Sequence, residues 1–166
     1  MCLNYAMLHT IVCDGGCIGN GRKDAVIYFS FAVIDNGKTV HAVSKQILTI
    51  EQAWTAMFSR VTDSCDREQH AKGTNNIAEF VAMIEAMKVA HQHKLTNVRF
   101  ETDADQVVTH VVKVPQSRGP DAYNEFRSTG KHLEAYALRI REALRLHPEW
   151  TVAKVGDGYV KETLGH

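Results

Sequence analysis

Apolar positions along the chain fall into two periods, and their order predicts the elements. "LHTIVC" (8–13), "AVIYFSFAVID" (25–35) and "TVHAVSKQI" (39–47) are β-branched, aromatic and apolar enough for strands. Asn36-Gly37 joins the last two as a type I′ hairpin pair, which gives an antiparallel meander. A short helix is predicted over 52–61, and "TDSCDREQHAKG" (62–73) reads as an exposed loop. From Asn76 to about His93 the period changes to that of a helix, with Ile77, Phe80, Val81, Ile84 and Met87 on one face. "NVRFET" (97–102) is a fourth strand, followed by a helix near 104–112 and a polar break at "PQSRGP". A longer helix over 123–146 buries Leu133, Tyr136, Ala137, Ile140 and Leu144, and Gly130 bends or interrupts it. "EWTVAKV" is the fifth strand, and a short helix closes the chain. A meander followed by helix, strand, helix and strand predicts an α/β fold, with helices on both faces of a mixed sheet.

Composition narrows the class. The 166 residues are 45% hydrophobic and 23% charged, normal for one globular domain, and no repeat or linker divides residues 1–166. Lys plus Arg equals Asp plus Glu at 19 each, so a polyanion must be held by a local patch or through cations. No apolar run has the length of a membrane span, and "MCLNYAMLHT" lacks the pattern of a signal peptide, so a cytoplasmic protein without membrane contact is expected. Cys2, Cys13, Cys17 and Cys65 show no paired CxxC spacing, which fits reduced thiols and makes Cys13 with Cys17 a poor zinc set.

The candidate chemistry lies in acids at element ends. Asp14, in "TIVCDGGCIGNG", follows an apolar strand, where Asp-Gly is also a strong turn signal. Asp103, in "FETDADQVV", ends the fourth strand in the same way. If a crossover through the Asn76 helix lays the two strands parallel, both carboxylates emerge at one sheet edge, where open α/β sheets bind ligands. Glu79, in "TNNIAEF", falls in the first turn of that helix, where Asn76 and Glu79 also suit a reciprocal cap.

"DGGCIGNG", "TNNIAE" and "TDADQVV", in this order and on these elements, resemble the type 1 ribonuclease H family. The resemblance implies a five-stranded mixed sheet of order 3-2-1-4-5. It also implies cleavage of the RNA strand of RNA/DNA hybrids by two magnesium ions, with manganese as an alternative, in a protein expected to be monomeric. Matched to the family's motifs, Asp14, Glu79 and Asp103 fall on three metal-binding acids. Asn20, Thr74, Asn75 and Asn76 fall on positions that touch the hybrid, and the backbone amides from Gly15 to Gly21, with Asn20 and Asn75, suit the sensing of the RNA 2′-hydroxyl. Matching "KETL" to the closing Asp-x-Leu pattern favours Glu162 over Asp157 as the fourth acid, with Asp157 left as a cap or turn residue.

The chain also departs from the family pattern. Gly16 stands where the family has Ser, Ala104 and Asp105 replace Ser and Gln, and residues 48–73 look like an insertion. The His-bearing loop before the last acid is missing, and Lys113, Arg118, Arg127, Lys131 and His132 read as a solvated helix face before they read as a basic handle. Two other readings stand beside a ribonuclease H. One is an exonuclease or junction resolvase of the same fold, and the other is a nucleic-acid-binding module without catalysis.

Overall fold

The computed structural model describes residues 7–57, 74–119 and 133–165. The loop over 62–73, Gly130, the start of the helix expected at 123, and Arg127, Lys131 and His132 lie outside them.

Strands β1 (His9–Ile18), β2 (Val26–Asp35) and β3 (Lys38–Thr49) form the predicted meander. Asn36 and Gly37 carry φ of 51° and 75°, the two positive values that a type I′ turn needs. Helix α1 (Ile50–Met57) follows β3, so the front of the 48–73 segment is strand and helix. Helix α2 (Asn75–Gln92) then crosses over to β4 (Val98–Thr102), which pairs parallel with β1, and β5 (Trp150–Lys154) pairs parallel with β4. The strand order is β3-β2-β1-β4-β5, as expected.

Three local expectations change. Asp14 does not sit in a turn: β1 runs on through Gly15 and Gly16 to Ile18, and Asp14 pairs with Ser30 on β2. Asn76 does not cap α2, because Thr74 does, its hydroxyl accepting from the Ile77 N–H at 3.1 Å. Glu79 therefore lies beyond the first turn and plays no part in a capping box. The helix after β4 does not stop near 112, since α3 (Asp105–Val108) continues through a π-helical stretch (Thr109–Lys113) into α4 (Val114–Arg118). Arg141 Nε donates to the His110 carbonyl at 2.6 Å, supplying a donor at this widened turn.

The core explains why α2 shows little amphipathicity. Besides the predicted Ile77, Phe80, Val81, Ile84 and Met87, its Ala78, Ala82, Met83, Ala86 and Ala90 are buried too. One side meets the sheet through Ile11, Cys13, Phe29 and Phe31, and another meets α5 (Glu134–Leu146) through Tyr136, Ala137 and Ile140. Each large side chain buried there contributes roughly 1.5–3 kcal/mol by area. Cys13 and Cys17 stand four residues apart on β1, about 13 Å at strand rise, too far to share a metal. Helix α6 (Asp157–Leu164) ends the chain, anchored by buried Val160 and by the Tyr159 hydroxyl, which donates to Glu101 Oε1 on β4 at 2.8 Å.

Candidate active site

β1 and β4 run parallel with Val12 opposite Glu101, and two more residues along that register bring Asp14 level with Asp103. β4 has ended at Thr102, so Asp103 stands just past its strand and Asp14 begins the stretch of β1 that β4 no longer flanks. Gly15 decides how closely α2 approaches them. A Cβ on Gly15 would lie 2.2 Å from the Ala78 carbonyl oxygen and 2.7 Å from the Glu79 nitrogen. Only glycine lets the Glu79 turn rest on β1. The other end of the loop is tied as well, because the Asn75 N–H donates to Asn20 Oδ1 at 2.9 Å, joining the β1–β2 connection to the start of α2.

Asp14, Asn76, Glu79, Asp103, Asp105, Gln106, Asp157 and Lys161 line a cleft of about 410 Å³ where β4 ends. Five of these described side chains are acids and one is a lysine, so the cleft is strongly negative although the chain as a whole is neutral. The charges act on each other. Burial, then the carboxylates of Asp103, Asp14 and Asp105, push Glu79 up from 4.5 to about 7. Asp103 is raised by burial, by Asp14 and by a hydrogen bond shared with Asp157. Asp157 is lowered, first by Lys161, whose Nζ lies 2.9 Å from its Oδ2. Asp105 is lowered by its ion pair with Lys154 at the end of β5. Burial raises the Cys13 thiol well above its usual range, so this cysteine is a core residue and not a nucleophile.

Among the described residues no three of these side chains stand close enough to make a finished metal cage. The donors still suit a hard divalent cation, because magnesium keeps several waters and takes one or two carboxylates together with substrate phosphate. Unrelieved like charge at Glu79 and Asp103 is a second mark of a place that cations would stabilise.

A family model described as reverse transcriptase-like matches residues 59–145, just over half of the chain. The chain belongs to the ribonuclease H-like family. Its sheet order and helix placement agree with solved ribonuclease H-like structures. The crystal structure of RNase H1 from the halophilic archaeon Halobacterium salinarum NRC-1 superposes with a TM-score of 0.64 at 16% identity, covering 95% of this chain and 93% of that one. LC11-RNase H1 in complex with an RNA/DNA hybrid gives 0.63 at 18%, covering 94% and 92%. The foamy viral protease-reverse transcriptase in complex with dsDNA gives 0.65 at 17%, covering 99% and 92%. At these identities the likeness is one of fold. A search by sequence among curated proteins finds no match.

Within this ribonuclease H-like frame, Asp14, Glu79 and Asp103 come together as the sequence suggests, from three different elements. Glu162 does not join them. Asp157 lines the cleft, and five residues later on the same helix Glu162 is turned roughly 140° away, exposed and outside the lining. Thr74 and Asn75 serve the structure first, through the cap and the bridge to Asn20. Asp105 and Lys161 also line the cleft, beyond the residues that the motifs mark. The departure from Ser-Gln at 104–105 was a signal for Asp105, and i,i+4 spacing from Asp157 was one for Lys161.

Proposed function

We propose that this ribonuclease H-like chain is a metal-dependent nuclease that cleaves the RNA strand of RNA/DNA hybrids. The observation that carries the reading is the meeting of Asp14, Glu79, Asp103 and Asp157, from β1, α2, the end of β4 and α6, around one cleft. A fold in which four separated carboxylates face one another raises the pKa of at least two of them. Such an arrangement costs stability in the empty protein and has a use only where cations and a polyanion assemble. Two divalent ions held there would supply a lowered pKa for an attacking water and charge to stabilise the leaving oxygen in an in-line displacement.

The protein's own groups have separable roles. Asp14 on β1 and Asp103 just past the end of β4 are the proposed centre of the metal site, with Glu79 and Asp157 on its flanks. Asn20 accepts from Asn75 through Oδ1, which leaves its amide nitrogen to donate outward to a sugar or phosphate oxygen. Asn76 lines the cleft beside Glu79, and Gly15 sets the distance between β1 and α2. Crystal structures of similar fold that hold an RNA/DNA hybrid, LC11-RNase H1 among them, support the choice of substrate.

The test is incubation of the whole chain with labelled RNA/DNA hybrid, RNA duplex, DNA duplex and single-stranded RNA, in Mg²⁺, Mn²⁺ or EDTA. RNA in the hybrid is cut with metal and spared in EDTA. Equal cutting of DNA duplex would overturn the substrate, and cutting in EDTA would overturn the chemistry. Tight hybrid binding without cutting would make the chain a binding module.

A further inference from the structure

Two residues beyond Asp14, on the same face of β1, Gly16 is directly opposite Tyr28 of β2. The Tyr28 ring crosses over it. A Cβ placed on Gly16 would lie 2.2 Å from both Cζ and Oη of Tyr28 and 2.7 Å from Cε2. No side chain fits at position 16 while the tyrosine is there, and the phenol oxygen occupies the space that a short hydroxyl side chain on β1 would reach. The sequence pattern gains a physical meaning here: where the resemblance expects Ser, this chain has Gly, and β2 delivers a hydroxyl to the same point.

The ring lies on the face of the sheet that carries Val12 and Asp14, where α6 also packs against β1 and β2. β4 pairs with β1 only as far as Val12 and ends at Thr102, so beyond this point no strand covers the flank of β1 that Tyr28 leans across. Tyr28 is half-buried, and its hydroxyl forms no hydrogen bond to any described residue. A phenol held by packing, with an unused donor and acceptor one pleat from Asp14, is suited to a ligand group of mixed donor and acceptor character. The ribose 2′-hydroxyl has that character, and it separates RNA from DNA.

We infer that Tyr28 contacts the nucleic acid beside the acid cleft and that its hydroxyl hydrogen-bonds a ribose 2′-hydroxyl of the RNA strand. This inference rests on the hybrid-nuclease reading. The Gly16–Tyr28 pair is then a specificity device in which β2 takes over a contact that β1 cannot make.

Tyr28→Phe tests it, because the ring keeps its place over Gly16 and only the oxygen is lost. Binding to hybrid and to DNA duplex of the same sequence is measured in EDTA for wild type and variant, alongside KM and kcat on hybrid in Mg²⁺. Loss of one hydrogen bond should weaken hybrid binding and raise KM by about three- to tenfold, with kcat within about twofold and the melting temperature unchanged. DNA duplex binding should not move. Hybrid affinity equal to wild type would overturn the inference, and so would an equal loss on both duplexes, which would mark a phosphate contact. If the wild type cuts no hybrid the nuclease reading fails on its own, and the EDTA binding arm still decides the role of Tyr28.

Discussion

The two ends of α2 face two hollows of similar size and opposite character. At its N-terminal end lies the acid cleft of about 410 Å³, and near its C-terminal end, between α2, α5 and the start of β5, lies a groove of about 340 Å³. Ile84, Met87, Ile140, Ala143 and Trp150 line the groove. Its charged and ring groups have partners beside them: Lys88 pairs with Glu85 at 3.0 Å and Arg139 with Glu142 at 3.7 Å, His147 stacks on Trp150 at 3.7 Å, His91 Nδ1 meets His147 Nε2 at 3.3 Å, and the indole N–H donates to the Leu95 carbonyl at 2.9 Å. The acid cleft leaves like charges opposed. Volume does not tell the two apart, and charge balance does, because a hollow whose groups are mutually satisfied is explained by packing alone.

The largest effect should come from breaking the acid end. Glu79→Gln keeps the shape of the side chain and removes the charge a metal needs, so cleavage should fall by about a hundredfold or more while the metal-free melting temperature holds or rises. Since Thr74 caps α2, no loss of capping confuses the result. Activity near wild type would return Glu79 to a structural role.

Trp150→Ala breaks the other end. Trp150 is 4% exposed and packs edge-on against Phe100 and face-on against His147, so the variant should lose about 3–5 kcal/mol of stability. Its kcat, measured below its melting temperature, should match wild type. A selective fall in kcat with little change in melting would show that the groove takes part in the reaction.

A smaller effect reads the repulsion directly. Folding raises Glu79 from 4.5 to about 7, so between these values the folded metal-free protein holds a proton that the unfolded chain has released. Stability from this group should therefore fall as pH rises from about 4.5 to about 7 and stay level above that. Glu79→Gln should flatten the slope, which melts in EDTA across this range would detect.

Much of this contrast was legible in the sequence. Hydrophobic period and the Asn36-Gly37 turn placed all five strands, and the expected end position held for Asp103, while Asp14 lies inside a longer β1 and Glu79 beyond the first turn of α2. What escaped depended on contacts between distant residues. Thr74 displaced Asn76 as the cap because its hydroxyl reaches the Ile77 N–H, a choice between neighbouring polar residues that local propensity does not make. Asp157 and not Glu162 lines the cleft because Tyr159 and Val160 fix the rotation of α6 against the sheet, which a motif match at the chain end does not contain. Tyr28 gave no signal at all until its partner across the strand was known.

The central claim is that carboxylates from four elements share one cation site, and melting with and without metal tests it most directly. Millimolar Mg²⁺ or Mn²⁺ should raise the melting temperature of the wild type, since an ion bound only by the folded state stabilises it by mass action. Asp14→Asn should melt at or above the wild type in EDTA and respond much less to either ion. Asp157→Asn should blunt the response where Glu162→Gln leaves it intact. A wild type that ignores both metals, together with an Asp14→Asn protein plainly destabilised in EDTA, would show that these acids share no site.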